Sequence, residues 1–126
     1  LTGVGSNPHA GSGKYVAIKC MKNHFDSLDQ VNNLREIQAL RRLSPHPNII
    51  TLEEVLYDQP TGRLALVFEL MDQNLYELIR GRRHYLRADL IKSYVYQLLK
   101  ALEHMHRKGI FHRDIKARQE RTTIMM

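Results

Sequence analysis

The sequence predicts an α+β fold in two parts, strands with one helix first and helices alone afterwards. Three observations carry this. Short runs of β-branched and apolar residues fall before residue 70, an apolar stripe at helical spacing fills residues 88–108, and the polar break Glu69-Leu70-Met71-Asp72 lies between them. The break is read as a hinge between two lobes.

In chain order, residues 1–13 are rich in Gly, Ser, Asn and Pro and read as a loop, so residues 1–14 are assigned to a flexible leader. Two phosphate-loop templates fail there: Pro8 stands at the third glycine of a G-x-G-x-x-G pattern, and Tyr15 replaces the Ser/Thr after Gly11-Ser12-Gly13-Lys14. Tyr15-Val16-Ala17-Ile18-Lys19-Cys20 is a strand signal, with Cys20 expected to be buried. Ser27-Leu28-Asp29-Gln30 is a capping box that opens a helix carrying Val31, Leu34, Ile37, Leu40 and Leu43, which Ser44-Pro45-His46-Pro47 stops. Strands follow over about 49–57 and 63–70, joined by the turn Asp58-Gln59-Pro60-Thr61-Gly62. Leu64-Ala65-Leu66-Val67-Phe68 is apolar throughout, as a strand buried on both faces requires. A short helix over 74–80 and a basic loop lead to the long helix, whose stripe is Ile91, Val95, Leu98, Leu99, Leu102 and Met105.

Composition narrows the class. A chain of 126 residues with 43% hydrophobic and 25% charged residues suits one globular domain. No apolar run reaches membrane-spanning length. A single cysteine excludes a disulfide framework and suits a reducing compartment. The net charge of +6 suits a phosphorylated or acidic partner, or solubility alone. Basic residues do not interleave with aromatics, so nucleic acid is not an expected partner. His104 and His106 point to different helix faces, which argues against a metal site. Arg80-Gly81-Arg82-Arg83-His84 reads as a solvated loop, with substrate docking as the other reading.

Two strings carry chemistry. Lys19 lies on a strand and Glu36 on the next helix; a carboxylate that steadies the flexible lysine stem lets the ammonium orient nucleotide phosphates. Phe111-His112-Arg113-Asp114-Ile115-Lys116 follows a helix that ends at Gly109. Asp114 can accept a hydroxyl proton there, and Lys116 can neutralise charge on a transferring phosphoryl group. Taken singly, Lys19 and Glu36 are equally explained as surface charges, and Asp114 as a turn residue.

Together and in this order they are two of the protein-kinase signatures, the strand lysine and the catalytic loop. Residues 15–116 resemble a eukaryotic serine/threonine protein kinase of the CMGC group, of the MAP-kinase-related kind. The residues that carry the resemblance are Gln30-Val31-Asn32-Asn33-Leu34-Arg35-Glu36-Ile37-Gln38-Ala39-Leu40-Arg41-Arg42-Leu43, Pro45-His46-Pro47-Asn48-Ile49, Glu69-Leu70-Met71-Asp72, Tyr76-Glu77-Leu78-Ile79-Arg80-Gly81-Arg82-Arg83 and Gly109-Ile110-Phe111-His112-Arg113-Asp114. The resemblance implies a kinase-like fold, with a partial N-lobe over residues 15–71, the start of the C-lobe over 72–116 and an unrelated tail over 117–126. It implies ATP and Mg²⁺ as cofactors and protein substrates or docking partners, with neither nucleic acid nor membrane. By position, Lys19 and Glu36 become the phosphate-orienting pair. Phe68 guards the back of the adenine pocket, Ala17 lines its roof, and backbone groups of Glu69 and Met71 hold the base. Asp114 becomes the catalytic base, Lys116 its phosphate-binding companion, and Arg113 the arginine that engages a phosphorylated activation loop. The family analogy suggests cytoplasm and also nucleus.

The sequence departs from the family at both ends. Gly3 and Gly5 stand too close to Lys19 for the usual hairpin and a further strand to be expected. After Lys116 the family continues through a proline and an acidic residue to a magnesium-binding asparagine. Ala117, Arg118 and Gln119 stand there instead, so no metal ligand is assigned. The D-F-G and A-P-E signatures are not found in the sequence. A truncated chain with little or no activity by itself is expected. The alternative is a non-catalytic binding module that competes for partners of a full-length kinase. The stripe of the long helix is expected to stay exposed and to attract chaperones or further copies of the chain.

Overall fold

The most apolar run of the chain makes the centre of a four-stranded sheet. The computed structural model describes residues 4–6 as main chain, 15–72 and 74–115. Its strands are β1 (Val4–Ser6), β2 (Tyr15–Cys20), β3 (Leu52–Asp58) and β4 (Arg63–Glu69), in the order β1-β2-β4-β3, every neighbouring pair antiparallel. The helices are α1 (Leu28–Asn32), α2 (Arg35–Leu43), α3 (Leu75–Ile79) and α4 (Ala88–Arg107). This is the expected α+β arrangement of a partial kinase N-lobe followed by the first C-lobe helices. Two compact units divide the described residues. One holds those up to Arg42 together with Thr51–Leu70, and the other holds Leu43–Ile50 with those from Met71 onward.

In the first unit, β4 is flanked by β2 and β3, so it has no free edge. Leu64, Leu66, Val67 and Phe68 are all buried, as a strand covered on both faces requires. The hairpin from β3 to β4 depends on Gly62, whose φ of +69° lies in the left-handed region. A Cβ there would stand 2.7 Å from the Phe25 carbonyl oxygen. That carbonyl accepts a 2.9 Å hydrogen bond from the Tyr57 hydroxyl, and the Phe25 N–H donates to the Gly62 carbonyl at 2.8 Å. The neighbour is therefore main chain held from two sides and cannot easily yield. Gly62→Ala is expected to lower unfolding stability by about 1–3 kcal/mol; an unchanged urea midpoint would show that the turn is not constrained as described.

Four expectations for this unit are corrected. The helix expected to run from Leu28 to Leu43 is two helices. Asn33 caps α1 through its backbone N–H, Leu34 N–H turns back to Val31 O at 3.1 Å, and α2 starts at Arg35. Asparagine is a weak helix former, which suits a break at Asn32-Asn33, and the Asn32 Oδ1 accepts from Arg41 Nη1 of α2 at 3.2 Å across it. The cap at the start is also altered: the Ser27 hydroxyl accepts from Gln30 N–H, but the Gln30 side chain accepts from Asp26 N–H rather than from Ser27.

The stretch read as leader contains β1, which pairs with β2 in the register Val4↔Ala17, Gly5↔Val16 and Ser6↔Tyr15. Its composition gives no strand signal; the open edge of β2 supplies the hydrogen bonds that make it one, and a strand of three residues fits the space. Cys20 is exposed rather than buried, since it ends β2 where the packed part of the sheet stops.

In the second unit, α3 is opened by a full capping box: Asn74 Oδ1 accepts from Glu77 N–H at 2.8 Å, and Glu77 Oε2 accepts from Asn74 N–H at 3.2 Å. The stop of α4 is a Schellman turn. Gly109 has φ +74°, its N–H donates to His106 O, and Ile110 N–H donates to Met105 O, each at 2.9 Å. The unit's core gathers Leu43, Ile49, Ala101 and Met105, with Leu102 and Ile110 packed against them. Along α4 the buried residues are Ala101 and Met105. Ile91, Val95 and Leu99, on the same stripe, remain 45%, 49% and 58% exposed. Among the described residues no helix is long and apolar enough to cross a membrane. Val95→Ser with Leu99→Ser is expected to reduce dye binding and self-association while changing stability by no more than about 0.5 kcal/mol. A wild-type chain that binds no apolar dye would remove the basis for this.

Candidate functional site

The candidate site in the first unit starts from strand register. Side chains alternate along a strand, and directly paired residues share a face. Ala17 is paired with Phe68, and Lys19 with Leu66, so these four lie on one face of the sheet. Leu66 is fully buried and Phe68 only 8% exposed, giving that face an apolar floor. Lys19 rises from it, and its Nζ meets Glu36 Oε1 of α2 at 2.5 Å. Ile37 and Leu40 are buried next to Glu36 in α2, so packing of the helix sets where the carboxylate stands. The ammonium is a compact, multi-donor cation; one direction is spent on Glu36, and the rest can address an anion.

Glu69 ends β4 and is paired with Val16. Its side chain accepts from Thr51 N–H at 2.7 Å, and its own N–H reaches Thr51 O at 3.4 Å. Thr51 thus clips the end of the strand that leads to the expected adenine-holding segment. This role was not legible in the sequence, because a backbone clip across such a separation leaves no local pattern. Met71 belongs to the second unit and is half-buried.

The second unit carries the rest. Behind the Schellman turn, the Phe111 ring stacks on His106 with centroids 4.8 Å apart. The chain then turns through Arg113, a non-glycine residue at φ +67°. Such a conformation costs on the order of 1–3 kcal/mol and persists where the surroundings impose it. It brings Asp114 N–H back onto His112 Nδ1 at 3.2 Å, and the Asp114 side chain is exposed. The plain reading of Asp114 as a turn residue and its reading as a base are thus compatible. Lys116 and Gln119 lie outside the described residues. Among the described residues, no group of three or more His, Cys, Asp or Glu side chains is gathered as a metal site requires.

Residues 3–119 match the family model described as Protein kinase domain. Over 104 residues, 82% of the chain, the sequence is 65% identical to the MAPK/MAK/MRK overlapping kinase of Mus musculus and 64% identical to that of Homo sapiens. It is 43% identical over 105 residues to the serine/threonine-protein kinase MAK of Mus musculus. The chain spans 25% of the length of the first two relatives and 16% of the third.

Proposed function

This chain belongs to the protein kinase family, and on that premise we propose that it is the nucleotide-holding and catalytic-loop part of a serine/threonine kinase, acting with ATP on protein hydroxyls. The Lys19–Glu36 ion pair is the observation that supports this most. Among ordinary surface charges nothing requires a strand lysine and a helix glutamate to meet over an apolar floor. In a phosphoryl-transfer site that is how the ammonium is held towards nucleotide phosphates.

The other roles follow the family positions. Ala17 and Phe68, register partners on the same face, would border the adenine with the backbone of Glu69 and Met71. Asp114 would take the hydroxyl proton, Lys116 would neutralise charge on the transferred group, and Arg113 would bind a phosphorylated segment. Kinases of this family use magnesium ions to neutralise the phosphates. Gln119, outside the described residues, stands at the asparagine position with a side chain one methylene longer, so no metal ligand is assigned there. Phosphoryl transfer by this chain on its own is accordingly proposed to be weak or lost. The exposed Ile91, Val95 and Leu99 favour a second reading, a binding module that competes for the partners of longer kinases.

Thermal unfolding with and without Mg²⁺–ATP separates the two. Nucleotide at a hundred times its Kd is expected to stabilise the chain by about 2.7 kcal/mol. A cooperative transition indifferent to nucleotide would sink the nucleotide-holding reading and leave the binding module.

A further inference from the structure

Residues 43–50 join α2 to β3, whose other residues lie in the first unit, yet they pack within the second. Leu43 and Ile49 sit in the core against Ala101 and Met105 of α4. The Asn48 side-chain amide donates to Gln97 Oε1 at 3.1 Å, and His104 Nε2 lies 2.9 Å from the Leu43 carbonyl. The His46 and His104 rings face one another with centroids 4.6 Å apart and planes inclined by 35°.

The hydrogen bonds fix the protons. A carbonyl only accepts, so His104 carries its proton on Nε2. Asn48 N–H donates to His46 Nδ1 at 3.0 Å, so that nitrogen is bare and neutral His46 holds its proton on Nε2. A second proton on His46 has one place to go, Nδ1, where it would point at the Asn48 N–H. The hydrogen bond would be lost, and a cation would form beside His104 with Lys100 and Arg107 close by. Glu103 opposes this, but it is already paired with Arg107 at 2.7 Å. We propose that the His46–His104 contact is an acid-sensitive latch, which holds residues 43–50 on α4 while His46 is neutral and releases them when it takes up a proton.

Burial first, and then the charges of His104, Lys100 and Arg107, hold the His46 imidazole below its ordinary value, with Glu103 pulling the other way. A group whose proton affinity is lowered in the closed state binds more protons in the open one. The hold of the latch is therefore complete above the ordinary value of 6.5 and is lost as pH falls below it towards the value in the closed state.

The test is an NMR titration of the whole chain from about pH 8 to about pH 5, following the His46 imidazole and the exchange protection of the Asn48 amide. With exchange corrected for its intrinsic pH dependence, wild-type protection is expected to fall below the ordinary imidazole value by up to about tenfold per pH unit, the limit for one linked proton. His46→Asn, which keeps an acceptor near Nδ1 but cannot titrate, is expected to abolish that fall. His104→Gln, which keeps a donor to Leu43 O, is expected to make it shallower. Protection that does not change with pH, an equal fall in His46→Asn, or a His46 that titrates at or above its ordinary value would each overturn the latch. If His46→Asn does not fold, the wild-type titration decides alone.

Discussion

Leu66→Ala is expected to remove about 2–5 kcal/mol of unfolding stability, the range for truncating a fully buried leucine. Leu66 has no exposed surface, and it lies in the central strand with Lys19 on one side and Val55 on the other. Removing three methyl or methylene-sized groups leaves a cavity that two flanking strands cannot both collapse into. Since whole domains are stable by only about 5–15 kcal/mol, much of the mutant should be unfolded at physiological temperature. Urea unfolding followed by circular dichroism measures this. A loss below about 0.5 kcal/mol, the size usual for surface positions, would mean that β4 is not the core strand described here.

Lys19→Ala is expected to abolish the response to Mg²⁺–ATP while leaving the free chain almost as stable as before. Magnitudes separate the two effects. The side chains of Lys19 and Glu36 are 42% and 39% exposed, so their ion pair contributes about 0–1 kcal/mol to folding. The nucleotide effect it supports is about 2.7 kcal/mol at a hundredfold Kd. Glu36→Gln, which leaves the lysine but not its anchor, should weaken the response without erasing it. A Lys19→Ala chain that shifts with nucleotide as far as wild type would remove the lysine from the site.

What was legible in the sequence was whatever local chemistry specifies. The short helix at 74–80, the glycine stop at Gly109 and the apolar run of β4 are set by neighbours within a turn or a strand, and each element formed where its signal lies. Lys19 and Glu36 are paired at the sequence level by the family resemblance, and in the structure their side chains meet at 2.5 Å. The break at Asn33 was missed because the helical stripe runs through it unchanged; the loss is in hydrogen bonding and not in hydrophobic period.

Residue order and type alone determined the α+β class, the membership of the kinase family and the ends of α3 and α4, because periodicity, caps and turn residues act over a few positions. Tertiary structure alone decided that Val4–Ser6 becomes a strand, that Cys20 is exposed, that Thr51 clips Glu69 and that His46 lies against His104. Each of these depends on a partner far along the chain. A hydrogen-bonding edge, a neighbouring ring or a missing cover exists only once the elements have packed.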